Sequence, residues 1–113
     1  MRESEIITKF LKDIREKGGY WYKLPDVGRT IKPFDCFYIL DGVVYFCEAK
    51  LIKNNTLHFS SIRDNQWTAL TRISQQGQRA VILTGDENDR ILLTDFRKIL
   101  ELHEKWEKSI SFL

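Results

Sequence analysis

Charged groups interrupt the apolar patterning of this sequence at three points. The first is Asp35, inside Pro33-Phe34-Asp35-Cys36-Phe37-Tyr38-Ile39-Leu40, a run of strand character in which Asp is unfavourable. The second is Glu48-Ala49-Lys50, which closes the apolar run beginning at Val43. Strand side chains alternate, so Glu48 and Lys50 share a face with Val44 and Phe46. Between the two runs, Asp41-Gly42 has the composition of a two-residue hairpin turn. Antiparallel pairing about that turn sets opposite one another residues whose numbers sum to about 83. Asp35 then lies across from Glu48. Like charges directly opposite destabilise a sheet by up to about 1 kcal/mol, a cost that a divalent cation between them removes. Mg²⁺, with Mn²⁺ as a substitute, suits the donors: a hard ion held by one or two carboxylates, with waters and phosphate oxygens completing the octahedron. Lys50 is placed to orient or deprotonate a water, or to neutralise charge on a phosphate. The plainer reading of Glu48 and Lys50, a surface ion pair, gives no reason for them to end a buried strand beside Asp35.

The third point is Glu3. At 100° per residue, Ile7, Phe10 and Ile14 lie at about 340°, 280° and 320° on a helical wheel, and Glu3 lies at about 300°. Glu3 therefore belongs to the apolar face, whereas Glu5, at about 140°, belongs to the solvent face. The competing reading is that residue 3 is too near the chain start to be buried.

These groups need elements to carry them. Residues 3–17 read as a helix on the spacing of Ile6, Ile7, Phe10, Leu11 and Ile14, with Gly18-Gly19 as the stop. Residues 20–24 have strand propensity and are broken by Pro25-Asp26-Val27-Gly28. Residues 34–40 and 43–50 form the hairpin. A polar loop, Lys53-Asn54-Asn55-Thr56, follows. Ser60 or Ser61 is then expected to cap a helix running to about Gln76, ended by Gly77. Residues 79–84 and 90–94 read as strands, Asp95 as the cap of a last helix to about Lys108, and Ser109 to Leu113 as a short edge strand. The order α-βββ-α-β-β-α predicts an α/β sandwich around a mixed sheet.

Composition sets the class. At 113 residues, 42% hydrophobic and 30% charged, the chain reads as one globular domain, 1–113, with a core that needs no disulfide or structural metal. No apolar run approaches the roughly 18 residues of a membrane span, and the N-terminus lacks signal-peptide character, so an intracellular location is expected. Cys36 and Cys47 read as reduced core residues, and His58 and His103 as surface residues. Trp106 is expected to pack with Ile99 and Leu102. Trp67 reads as a packing residue or, less simply, as a base-stacking one. Phosphate-loop, Rossmann and nucleophile-elbow patterns are absent, which argues against nucleotide hydrolysis, dinucleotide chemistry and acyl transfer by a serine. The net charge is only +2, but it is unevenly spread. From Lys9 to Lys32 there are seven basic residues against three acids; from Lys50 to Arg79, five against one; from Asp86 to Glu107, four against seven. A polyanion-facing side or a mixed solvated surface both satisfy that pattern.

Pro33-Phe34-Asp35, twelve intervening residues and Glu48-Ala49-Lys50 resemble the PD-(D/E)XK nuclease signature, with Phe34 inserted between the proline and the aspartate. Glu3, Ile6, Phe10, Leu11, Ile14 and Gly18 resemble the first helix of VRR-NUC and resolvase-like members. Leu57 to Leu70, with Ser61, Ile62 and Gln66, resembles the segment after the lysine strand in RecU-like Holliday-junction resolvases. The resemblance spans roughly residues 3–83. It implies a restriction-endonuclease-like core, an α-βββ-α-β mixed sheet flanked by helices. It implies Asp35 and Glu48 as metal ligands with the Ala49 backbone carbonyl, and Glu3 as a helix carboxylate at the metal, directly or through water. Lys50 would be the catalytic lysine. Gln66 would face the site from the second helix, where the alternative is a solvent-facing position; Ser61 has an N-cap as its alternative.

The activity implied is Mg²⁺-dependent hydrolysis of DNA backbone phosphodiesters by a structure-selective endonuclease of Holliday-junction-resolvase type. A VRR-NUC-like flap or nicking nuclease is the alternative, and a non-catalytic nucleic-acid-binding module on the same fold is a third reading. Lys9, Lys12, Lys23, Arg29, Lys32, Lys53 and Arg63 are the candidate DNA contacts. The implied partners are branched DNA, a four-way junction, and a second copy of the chain, because two symmetric incisions need two sites related by a two-fold axis. A cellular, nucleoid-associated protein and a phage-encoded one both fit.

Overall fold

A computed structural model describes residues 2–26 and 32–112. The first element is helix α1, Glu3–Glu16, whose buried side is Ile6, Ile7, Leu11 and Ile14. It ends in a Schellman motif: the Gly18 amide donates to the Arg15 carbonyl and the Gly19 amide to that of Ile14, with Gly18 at φ +84°. The chain then turns into β1 (Tyr20–Lys23), β2 (Cys36–Leu40) and β3 (Val43–Leu51). Asp41 and Gly42 both have positive φ, 51° and 77°, as a type I′ hairpin requires. The register is the one expected, with Cys36 opposite Cys47 and Leu40 opposite Val43.

β4 (Thr56–His58) and a single 3₁₀ turn, Phe59–Ser61, lead into α2 (Asp64–Gln75). β5 (Arg79–Gly85), β6 (Ile91–Asp95), α3 (Phe96–Glu104) and β7 (Ser109–Ser111) complete the order. The main sheet runs β1-β2-β3-β5-β6, with β3 and β5 parallel and the other pairs antiparallel. β4 and β7 form a separate two-stranded sheet. β5 is buried from Ala80 to Gly85, as a strand covered on both faces must be.

Alternation along β3 and β5 divides the core. Cys47, Ala49, Val81 and Leu83 meet α1, while Ala80 and Ile82 meet Leu70 of α2 and Phe96 and Ile99 of α3. Cys36 and Cys47 are free thiols buried in the α1 layer, as expected of reduced core cysteines. No helix among the described residues is long and apolar enough to cross a membrane.

Four local expectations need correction. Neither Ser60 nor Ser61 caps α2: Ser61 Oγ donates to the His58 carbonyl within the 3₁₀ turn, and the N-cap residue is Arg63. Its backbone amide donates to Gln66 Oε1 at 3.1 Å, the glutamine half of a capping box. The segment read as a polar loop contains a second tight turn. Asn54 and Asn55 have φ 54° and 55° and bring Lys53 to bridge with Thr56, where β4 begins. Asn tolerates that left-handed conformation, so two asparagines do what Asp-Gly does in the first hairpin. The last helix stops at Glu104 rather than near Lys108. Trp106 does not pack with Ile99 and Leu102: it lies beyond the helix end and is 90% exposed. The remaining elements lie close to their expected places, with β2 beginning at Cys36 and Asp95 capping α3 through the Arg97 amide.

Gly19 marks a close approach of backbone between α1 and the sheet. A Cβ there would stand 2.6 Å from Ile14 Cγ2 and 2.7 Å from the Ile39 carbonyl oxygen. Backbone cannot rotate away as a side chain can, so Gly19→Ala is expected to cost about 1–3 kcal/mol by overpacking. Its urea midpoint should fall with the slope unchanged. A midpoint equal to wild type would contradict this packing.

Candidate metal centre on the β2–β3 hairpin

The site begins with a local irregularity. Beyond the pair Cys36–Cys47, the Asp35 amide also donates to the Cys47 carbonyl, at 3.0 Å. Two successive residues thus face one residue of β3, the count of a β-bulge. The bulge leaves Asp35 half-buried beside β3, where its Oδ2 accepts from the Ala49 amide at 2.9 Å. Asp35 therefore stands just before β2 rather than inside it, and a backbone donor fixes its carboxylate.

Glu48, one residue back from Ala49, is 2% exposed. Its Oε2 accepts from Gln66 Nε2 at 2.8 Å and lies 3.4 Å from Lys50 Nζ. Lys50 in turn donates to Gln66 Oε1 at 3.0 Å. Gln66 therefore faces the site and is buried, which excludes the solvent-facing alternative. Its amide is used at both ends: Oε1 receives Lys50 and the Arg63 amide, and Nε2 serves Glu48. The capping interaction that starts α2 is thus the same one that orients Glu48 and Lys50.

Electrostatics follow from burial. Glu48 is pushed up to about 8, first by loss of water and then by the neighbouring Asp35 charge; Lys50 opposes this and is outweighed. Glu3 is raised as well, mainly by burial, with Asp35 adding to the shift and Lys50 and Arg63 opposing it. The α1 carboxylate is therefore within electrostatic reach of both hairpin residues. Among the described residues, however, no three His, Cys, Asp or Glu side chains come together closely enough to form a metal cluster. The side-chain donors that meet are Asp35 and Glu48.

Those donors fit a hard divalent cation. Protonated, Glu48 can hydrogen-bond Asp35; ionised, its buried Oε1 has no partner among the described residues. A buried carboxylate oxygen in that state is costly unless something positive reaches it. Two carboxylates and a backbone carbonyl are the oxygen ligands Mg²⁺ takes when waters supply the rest.

The six described candidate DNA contacts divide into three groups. Lys9, Lys12, Lys53 and Arg63 are exposed. Lys23 is exposed and donates to Thr8 Oγ1 at 3.3 Å. Lys32 is engaged at the site itself, 3.5 Å from Asp35 Oδ1 and 3.1 Å from Asp26 Oδ1. Arg29 lies outside the described residues. The Lys32–Asp35 pair was missed from the sequence, although a lysine three residues before a strand aspartate is a visible signal for it.

The five-stranded mixed sheet, with α1 on one face and α2 and α3 on the other, is the restriction-endonuclease-like fold. Among solved structures it is similar to Hjc of Archaeoglobus fulgidus, described as a Holliday junction resolvase from an archaeal hyperthermophile. The TM-score is 0.64, over 83% of this chain and 77% of that one. The two sequences are 14% identical, so the likeness is one of fold. No family model and no curated protein sequence matches the chain.

The raised Glu48 carboxyl has a consequence for stability. The folded protein keeps a proton that the unfolded chain releases near the ordinary 4.5. Between about 4.5 and about 8 the folded state binds more protons, so metal-free stability should fall as pH rises, by at most roughly 1.4 kcal/mol per unit. Glu48→Gln should flatten that slope. Mg²⁺ should stabilise the wild type more at pH 8.5 than at pH 6, because binding no longer has to displace the proton. Urea midpoints at both pH values, in EDTA and in Mg²⁺, check all three; equal slopes for wild type and variant would contradict the assignment.

Proposed function

We propose that this protein is a divalent-metal-dependent endodeoxyribonuclease that hydrolyses backbone phosphodiesters of branched DNA, as a Holliday-junction resolvase does. The observation that carries the reading is the convergence of Asp35, Glu48 and Lys50 at the bulged end of one hairpin, with a buried carboxylate oxygen still lacking a partner. The fold shared with an archaeal resolvase supports it.

In this reading Asp35, Glu48 and the Ala49 carbonyl hold the cation, and Glu3 acts through water. Bound there, a divalent ion supplies a Lewis acid for a phosphoryl oxygen and lowers the pKa of water. The rest falls to the protein. The Ala49 amide fixes one Asp35 oxygen, leaving the other for ligation once Lys32 yields it. Gln66 holds Glu48 in one orientation and prevents Lys50 from collapsing onto both of its oxygens. A lysine ammonium has three donors; Gln66 and Glu48 engage two of those on Lys50, and the third serves the attacking water or a phosphate oxygen. Lys9, Lys12, Lys23, Arg29, Lys53 and Arg63 bind phosphates, which positions the duplex without reading its sequence. Two copies related by a two-fold axis provide the paired incisions.

The test is a panel of labelled four-way junction, flap, nicked and linear DNAs with Mg²⁺. Junction cleavage should dominate. Asp35→Asn and Glu48→Gln should abolish cutting while DNA binding survives, and Lys50→Ala should bind Mg²⁺ normally and lose rate. Either carboxylate variant cutting at the wild-type rate would overturn the site. Preference for flaps by a strictly monomeric protein would overturn the resolvase reading in favour of a single-incision nuclease.

Binding should also be electrostatic. The logarithm of affinity should fall with that of salt concentration at about −0.9 per phosphate neutralised on duplex arms. Filter binding between low and physiological salt measures that slope. A flat dependence would contradict contact through these lysines and arginines.

A further inference from the structure

Away from the hairpin site, α2, α3 and the 3₁₀ turn enclose a groove of about 920 Å³. Phe59, Trp67, His103 and Trp106 give it aromatic walls, and none of Asp35, Glu48 or Lys50 lines it. Trp67 is braced between neighbours, with ring centroids 4.7 Å from His103 and 6.2 Å from Phe59. Trp106 is held in a different way.

The α-helices α1, α2 and α3 end in the same Schellman motif. At α1 and α2 the left-handed residue is glycine, Gly18 at φ +84° and Gly77 at φ +78°. At α3 it is Trp106, at φ +66°: its amide donates to the His103 carbonyl, and the Glu107 amide to that of Leu102. A bulky side chain in this conformation is an outlier that costs stability relative to glycine. Packing does not offset the cost, because Trp106 is 90% exposed. The fold thus holds a large aromatic ring in water, at the rim of an aromatic groove, by a strained backbone. Strain retained without a folding benefit points to a ligand.

The charges around the groove indicate its class. Asp64, Glu104 and Glu107 line it against Lys108 as the one basic side chain besides the two histidines. None of the three carboxylates makes an ion pair among the described residues. A phosphate backbone would be repelled there. A cation there would meet the indoles of Trp67 and Trp106 and carboxylates without ion pairs among the described residues, the combination that attracts guanidinium and ammonium groups.

We propose that this groove is a docking site for an arginine- or lysine-bearing segment of a partner protein, with Trp106 as the exposed wall that closes over the cationic side chain. The site is separate from the hairpin carboxylates and does not depend on nuclease activity.

The test uses the full chain and an octapeptide of alternating Arg and Gly, followed by calorimetry and by the indole N–H signals in NMR. The peptide should bind and shift the Trp106 and Trp67 indoles; a Glu-Gly peptide should do neither. Trp106→Gly should melt at a higher temperature than wild type, because glycine relieves the strained turn, yet bind the peptide at least about fivefold more weakly, a factor within the range of one cation–π contact. Trp106→Phe should keep most of the affinity, and the double variant Glu104→Gln, Glu107→Gln should lose it. Absence of peptide binding, or affinity unchanged in Trp106→Gly, overturns the proposal. Oligothymidylate shifting the Trp106 indole in place of the peptide overturns the cationic assignment and makes the groove a base-stacking surface.

Discussion

Two carboxylates share the end of one hairpin, and one of them is buried. The rest of the site is arranged around that constraint. Glu48 cannot keep its charge cheaply at 2% exposure beside Asp35, so its proton affinity rises to about 8. Each neighbour manages one part of the problem. The Ala49 amide stabilises Asp35, Gln66 satisfies one oxygen of Glu48, and Lys50 partly balances the charge. Once Glu48 is ionised, the oxygen left over, Oε1, has no partner among the described residues. In the proposed function a cation would fill that place, and its charge would reverse the pKa logic that burial imposes.

The fold explains why this arrangement is rigid. β3 lies inside the sheet, between β2 and the largely buried β5, so the backbone of Glu48 and Lys50 cannot move without disturbing parallel pairing from Tyr45 to Leu51. Gln66 sits in the first turn of α2, and its side chain also completes the N-terminal cap of that helix. Helix initiation and site orientation therefore depend on one amide. The α1 N-terminus brings Glu3 into the same field from the opposite face of the sheet.

Much of this was legible in the sequence because it rests on strict periodicities. The alternation of β3 and the Asp41-Gly42 turn specify the register, and the register specifies that Asp35 meets Glu48. Helical spacing likewise assigned Glu3 to the inner side of α1. What escaped notice depends on tertiary geometry or on subtler turn chemistry. Asn54-Asn55 makes a tight turn without glycine. Ser61 has the chemistry of a cap, but the 3₁₀ turn spends its hydroxyl on His58 and moves the helix start to Arg63. Trp106 looked like the continuation of an apolar stripe, yet α3 ends two residues before it, and no propensity rule anticipates tryptophan in a glycine position. The bulge at Asp35 has no sequence signature beyond the misplaced aspartate itself.

Burial and the neighbouring Asp35 raise the Glu48 carboxyl to about 8 in the metal-free protein, and the proposed function requires a divalent cation to displace that proton. Side-chain carboxyl ¹³C NMR of the folded protein, titrated in EDTA and again in Mg²⁺, reads that group directly. A midpoint near 8 without metal, displaced downward by Mg²⁺ together with a response at Asp35, is the result this account predicts. A midpoint near the ordinary 4.5, unmoved by Mg²⁺, would contradict it.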